Sequence, residues 1–211
     1  MKMGRIASLT LLLVVSLLLP SPGQARVVDG IDYRTGDVVF QQIGGDLGRL
    51  VQGITRSPFD HCGIIIVNKN GSVDVLEAIT RVQRTNLEKW KARGLGQRIH
   101  LMRPLRQYRR HLAQFIEKAE EFMGKPYDRS FNMDDESPYC SELIYKAFLT
   151  ATGVALAPFQ QLVELHFLRH LPEILILGRG ELPWKRPLIT PAALTRSPQL
   201  QLVHSEFEPS T

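Results

Sequence analysis

The chain has 211 residues, a formal net charge of +5 and two cysteines. That length supports one domain with a good core and is too short for two full ones. The basic excess is mild and no aromatic-interleaved basic patch accompanies it, which argues against nucleic acid and favours anionic surfaces only weakly.

Met1 to Arg5 is short and basic, and Ile6 to Leu19 is apolar and uncharged. Pro20-Ser21-Pro22-Gly23-Gln24-Ala25 then breaks the run and supplies small residues, Gly23 and Ala25, at the two recognition positions. This is the pattern of a secretory signal peptide cut after Ala25. Residues 1–25 are therefore expected to be a signal and 26–211 a single domain, periplasmic or secreted. The apolar run is short for a bilayer span and no second one follows, so no stable transmembrane segment is expected after cleavage; an uncleaved anchor is the alternative. Loss of Lys2 and Arg5, with no acid in the segment, lowers the formal charge from +5 to +3.

Arg26 to Thr35 is expected to be an irregular lead-in, and Gly36 to Gln41 a turn followed by a short strand. Gly44 to Ile54, with four glycines among Leu47, Leu50 and Val51, suggests a loose helix or loop near a pocket. Cys62 to Val67 is a continuous apolar run, consistent with a buried strand. Asn68-Lys69-Asn70-Gly71 signals a hairpin, with Ser72 to Ile79 as the return strand. Arg81 to Thr85 alternates like a further strand, Leu87 to Arg93 reads as a short helix, and Arg98 to Met102 as a strand closed by Pro104. Arg106 to Met123 carries apolar residues at three- and four-residue steps and is the clearest amphipathic helix. After an acidic loop, Ser137 can cap a helix, Pro138 suits its first turn, Leu143 to Ala151 supply its apolar stripe and Gly153 ends it. Phe159 to His170 is expected to be helical, Leu175 to Leu177 strand-like, and Gln199 to Val203 a last strand. The class is α+β: a small antiparallel sheet with helices packed on it.

The hairpin fixes a register. With Lys69-Asn70-Gly71 as a three-residue loop and Gly71 left-handed, Asn68 pairs with Ser72, Gly63 faces Glu77 and His61 faces Ile79. His61 and Glu77 then become diagonal neighbours on one face, about 7–8 Å apart at the backbone. A carboxylate there can fix one imidazole nitrogen and leave the other free as a base. Cys140 lies in the first turn of its helix, where unpaired N–H groups and the dipole favour an anion and can hold an oxyanion. Asp134, Asp135 and Glu136 push against a thiolate, so either the acidic loop turns aside or His61 is protonated. In an exported chain a Cys62–Cys140 disulfide is the plain alternative. Strand alternation argues against it by sending Cys62 to the face opposite His61.

Asp60-His61-Cys62-Gly63-Ile64, Leu76-Glu77-Ala78, Tyr127-Asp128 and Tyr139-Cys140-Ser141-Glu142-Leu143-Ile144 resemble the YiiX/YebB-type cysteine hydrolases, circularly permuted papain-like members of the NlpC superfamily, over about Gly36 to Leu194. In papain-like order Cys comes before His, and here His comes first. The resemblance implies a permuted papain-like fold with a small antiparallel sheet or half-barrel packed against helices. It implies Cys140 as nucleophile, His61 as base, Glu77 as orienting acid, and Tyr127, Tyr139 and Ser141 around substrate or oxyanion. Ile189 to Leu194 resembles a late family segment that often carries an acid where Ala193 stands. The implied reaction is cleavage of an amide bond in a cell-wall peptide or N-acyl amide, with a small amide or muropeptide-like substrate as partner. Acyl transfer on lipid-like substrates and a non-catalytic exported binding module are the alternatives.

Glu164, His166 and His170 share a helical spacing, but two histidines without a third matching ligand do not define a metal site. No metal and no cofactor are expected. Lys185 and Arg186 beside Trp184 could touch an anionic substrate, with a snorkelling surface pair as the preferred reading. Ser141 lacks the Gly-x-Ser-x-Gly setting of a serine nucleophile.

Overall fold

The computed structural model describes residues 24–131, 133, 136–177 and 186–208. All but the last two residues of the expected signal segment lie outside them, as do Asp134, Asp135, Trp184 and Lys185. A six-stranded, wholly antiparallel sheet runs in the order β10-β7-β3-β4-β5-β6. Its members are β3 (Val38–Gln41), β4 (His61–Val67), β5 (Val73–Ala78), β6 (Val82–Asn86), β7 (His100–Pro104) and β10 (Leu200–Ser205).

The Ile64-Ile65-Ile66 run is apolar without alternation because the sheet is covered on both sides. On one side Val38, Phe40, Cys62, Ile64, Ile66 and Leu76 pack on the helices α3 (Leu112–Glu120) and α4 (Cys140–Thr152). On the other, Val39, Ile65, Val67 and Val75 meet Trp90 and Leu87 of α2 (Leu87–Arg93) and Tyr33. Each buried isoleucine contributes about 1.5–3 kcal/mol relative to exposure. Tyr33 belongs to a hairpin, β1 (Ala25–Val28) and β2 (Ile31–Arg34), where an irregular lead-in was expected. The left-handed Asp29-Gly30 turn (φ 52° and 78°) closes this hairpin, and burial of Ile31 and Tyr33 holds it on the sheet.

The β4–β5 register is the expected one. Ile64 faces Leu76 and Val67 faces Val73, the Asn68 N–H donates to the Ser72 carbonyl at 2.8 Å, and Gly71 has φ +83°. Gly44 to Ile54 resolves as a helix, α1 (Gly45–Thr55). The expected Arg106–Met123 helix is split: Arg106–His111 is a 3-10 segment, and α3 begins only at Leu112. The Leu105–Tyr108 pair at a three-residue step fits the tighter turn, and the Tyr108 hydroxyl donates to Gln199 Oε1 at 2.5 Å.

Two further expectations fail. Phe159 to His170 is not one helix but a short strand β8 (Gln160–Gln161) and two 3-10 turns, and Leu175 to Leu177 belongs to a helix, α5 (Leu171–Leu177). Leu162, Phe167 and Ile174 of this stretch cluster with Leu50 and Ile54 of α1, so tertiary burial and not local period decides its shape. β8 pairs with β9 (Pro187–Leu188), and α6 (Pro191–Thr195) follows, capped by Thr190 Oγ1, which accepts from the Ala193 N–H at 3.1 Å. Among the described residues no helix is long and apolar enough to cross a membrane.

Candidate active site

His61 opens β4 opposite Gln41, the last residue of β3, so its imidazole stands where the sheet ends. As the register requires, it shares a face with Glu77, and His61 Nε2 lies 2.6 Å from Glu77 Oε2. The carboxylate is fully buried and takes three more hydrogen bonds. Thr85 Oγ1 donates to Oε1 at 2.6 Å, and the Arg93 guanidinium donates to Oε1 at 2.6 Å and to Oε2 at 2.7 Å. Burial alone would raise the Glu77 pKa. The hydrogen bonds from His61, Arg93 and Thr85 and the imidazolium charge outweigh it and hold the value at about 2.

Cys140 is the first residue of α4, and Leu143, Ile144, Ala147 and Phe148 on its stripe are all buried. Ser137 is not the cap. Tyr139, in extended conformation, is, and Glu142 Oε2 accepts the Tyr139 N–H at 3.3 Å. The shift leaves Cys140 in the first turn, where the helix has N–H groups without an internal partner.

Cys62, His61 and Tyr127 all lie close enough to the Cys140 sulfur to act on its ionisation. The contact from Cys62, countered by burial and reinforced by His61, holds the Cys140 thiol well below its ordinary range. Burial opposes a charge on His61, but Cys140 and Glu77 on its two sides raise its pKa to about 9. Both shifts run in the direction that favours thiolate and imidazolium over the neutral pair. These shifts favour the protonated imidazole as the way to reconcile a thiolate with the acidic loop; Asp134 and Asp135 lie outside the described residues.

Alternation sends Cys62 to the face opposite His61, yet Cys140 lies beside both, so alternation does not keep the two cysteines apart. α4 approaches from the Cys62 face, and the imidazole reaches the same sulfur around the end of the sheet. Both cysteines are free.

Cys140 also lines a cavity of about 480 Å³. Much of its wall is apolar, from Leu47, Leu50, Val51 and Ile54 of α1 together with Leu162 and Ile174. Tyr127, Tyr139 and Ser141 line it too. The Tyr139 hydroxyl accepts the Ile189 N–H at 2.9 Å, and Ser141 Oγ donates to the Ile189 carbonyl at 2.8 Å, so both clamp the segment before α6 against the start of α4. Arg186, read from sequence as half of a surface pair, is on the cavity wall and donates to the Ser130 carbonyl at 2.5 Å. Asp60 fixes α1 at the opposite side, accepting from the Ile43 and Gly44 N–H groups at 2.7 and 2.8 Å and from Gln52 Nε2 at 2.5 Å.

Sequence reasoning missed Arg93, Thr85, Cys62 and Asp60 as parts of this site. Thr85 had a usable signal, since strand alternation across the β5–β6 pair sets it diagonal to Glu77. Nothing local ties Arg93, at the end of α2, to a carboxylate sixteen positions earlier.

A thiol at a helix start, with an imidazole and an acid on an antiparallel sheet, defines the papain-like class of thiol enzymes, here with the strands ahead of the helix. The chain belongs to the permuted papain-like amidase family (YaeF/YiiX, C92), whose model matches residues 32–204. It is 29% identical over 203 residues to the uncharacterized protein YiiX of Escherichia coli (strain K12), covering 93% of this chain and 96% of that one. It also superposes on the crystal structure of YiiX from Escherichia coli O157:H7 with a TM-score of 0.76 at 28% identity, covering 82% of this chain and 98% of that chain. That structure is described as a metalloprotein. In this chain, among the described residues, no three His, Cys, Asp or Glu side chains group so as to hold a metal ion. Glu164 accepts the Gln161 N–H at 2.8 Å, and His170 packs against Gly53 of α1.

Proposed function

We propose that this chain is an exported thiol hydrolase that cleaves an amide bond through an acyl-enzyme on Cys140. The single observation that carries the reading is that Cys140 lines the cavity and lies beside His61. The thiolate attacks the carbonyl carbon. The first-turn N–H groups of α4 and the Tyr127 hydroxyl are the donors available to the oxyanion. His61, protonated by its contact with the thiolate, gives its proton to the leaving amine and then takes one from the water that cleaves the thioester. Glu77 orients the imidazole and sustains its charge, while Thr85 and Arg93 position Glu77. Tyr139 and Ser141 act by holding Ile189 beside the nucleophile. The secretory pattern of residues 1–25 supports export.

The cavity favours an N-acyl amide over a cell-wall peptide. A muropeptide is polar along its length and leaves the aliphatic side chains of α1 without an apolar partner, whereas an acyl chain covers them. Acyl transfer to an amine or hydroxyl would use the same acyl-enzyme, and competing acceptors in a product assay separate it from hydrolysis. The test is mass spectrometry of the purified enzyme after exposure to a library of N-acyl amides and muropeptides. An adduct on Cys140 with the mass of an acyl group is expected. An unmodified Cys140 across the library, with the thiol reacting no faster than a model thiol, favours the binding-module alternative and rejects the hydrolase.

A further inference from the structure

The reaction above leaves one nucleophilic group beside the reacting sulfur without a task. Cys62 is wholly buried, is not among the residues lining the cavity, and lies beside Cys140 in the same buried cluster. Cys140 does line the cavity, so a small solute reaches it first. A second thiol behind a thiol that lines a cavity is the arrangement of a resolving cysteine.

We propose that Cys140 and Cys62 form a peroxide-responsive pair, in which Cys140 is oxidised first and Cys62 closes a disulfide that silences the site reversibly. In the first step the Cys140 thiolate attacks one peroxide oxygen. An S–O bond forms, the O–O bond breaks, two electrons pass from sulfur to oxygen, and the departing hydroxide takes a proton to become water. In the second step the Cys62 sulfur attacks the Cys140 sulfenic sulfur. The S–S bond forms, the S–O bond breaks, and the departing hydroxide takes the Cys62 proton and leaves as a second water. Two thiols and one peroxide thus become one disulfide and two waters.

The geometry suits the second step. The two cysteines are neighbours in one buried cluster, β4 and α4 packing directly on each other, so closing the ~2.05 Å S–S bond asks for local adjustment and no rearrangement of the fold. Both residues stand at the ends of their elements, Cys62 second in β4 and Cys140 first in α4, where side chains adjust more easily than mid-element. The disulfide removes the nucleophile and takes from His61 the anion on one of its two sides. It also protects Cys140 from the irreversible sulfinic acid, because sulfenic acid is consumed from the buried side. The inference rests on the thiolate of the proposed mechanism and not on amide cleavage.

The experiment uses the reduced full chain and hydrogen peroxide, with intact mass and peptide mapping under non-reducing conditions. Wild type is expected to become about 2 Da lighter, with a Cys62–Cys140 cross-linked peptide, and to regain its mass and its alkylation by iodoacetamide on reduction. The Cys62→Ala and Cys62→Ser variants are expected to gain about 16 and then about 32 Da on Cys140, with the latter not recovered by thiol reductant. Wild type that goes directly to the heavier species, or that cross-links only between chains, overturns the proposal. The wild-type measurement requires no variant to fold. A cross-link without amide turnover in any assay leaves this pair standing and counts only against the hydrolase reading.

Discussion

The reacting corner and the wall of the cavity are built in opposite ways. At the corner, His61, Glu77, Thr85 and Arg93 form a buried hydrogen-bonded chain whose members sit on adjacent strands and a short helix, and Cys140 is tied into it from below. The wall is a small satellite cluster, Leu50 and Ile54 with Leu162, Phe167 and Ile174, carried by α1, two 3-10 turns and α5. Directional bonds at the corner fix the positions of single atoms, and removing one partner leaves a buried charge exposed to its own desolvation cost. Contact in the wall is non-directional and adjusts to volume. A thiol enzyme needs the first kind of construction where bonds are made and the second where substrates differ.

The contrast is sharpest in the nucleophile and base. Cys140→Ser and His61→Ala are each expected to lower turnover by on the order of 10⁴-fold or more with a native circular-dichroism spectrum, His61→Ala also lowering the melting temperature because Glu77 loses a buried partner. Retained turnover in either variant rejects the assignment. A direct view of the same coupling is the alkylation of Cys140 by iodoacetamide as a function of pH. In wild type the onset is expected below the ordinary thiol range, because Cys62 and His61 lower the Cys140 pKa. In His61→Ala its onset moves to higher pH and the rate at pH 7 falls about 10-fold or more. An unchanged profile would mean that His61 does not support the thiolate.

Glu77 comes next. Glu77→Gln is expected to slow turnover by about 10–10²-fold, less than loss of His61, since the acid orients and does not transfer the proton. It is also expected to cost about 1–3 kcal/mol of stability, because Arg93 and the imidazolium lose their anion. The pH dependence of that loss has a definite sign. Glu77 is depressed from 4.5 to about 2, so its contribution is present above 4.5 and fades as pH falls through about 2. His61 is raised from 6.5 to about 9, so its contribution is complete below 6.5 and fades as pH rises through about 9. The difference in melting temperature between wild type and Glu77→Gln is therefore expected to be largest between pH 4.5 and 6.5 and to shrink on both sides. A difference that is flat with pH would show that the network contributes by shape alone.

The corner was largely legible in the sequence, and the wall was not. A hairpin with a glycine-bearing turn sets strand register by counting, and register is enough to set Glu77 beside His61, because side chains alternate with a period of two. The thiol was recognisable from a helix start followed by an apolar stripe. What counting could not supply was the direction from which α4 arrives, and for that reason Cys62 was placed away from the cysteine it lies beside. Arg93 was invisible because its partner is fixed by how α2 folds back over β5. The wall is assembled from segments without a sustained period, Gln160 to Leu177, and their shape follows from what they bury against α1. Short apolar steps in such a stretch fit a helix, a strand or a 3-10 turn equally well until a partner surface selects one.

Substitutions in the wall are expected to have the smallest effects and to be the only ones that depend on substrate. Leu47 and Val51 are half-buried on α1 and line the cavity. Removing methyl groups there should shift the preferred acyl length toward bulkier chains, with kcat/KM for the best substrate falling about 3–10-fold, mostly through KM, and with Cys140 alkylation unchanged. The reasoning is that an apolar wall binds the acyl chain about equally before and during the attack, so its loss weakens binding without altering the reacting groups. If Leu47→Ala or Val51→Ala instead lowered kcat for all chain lengths alike, α1 would be acting on the corner through Asp60 and the Gln41–His61 edge, and the division of labour between the two regions would not hold.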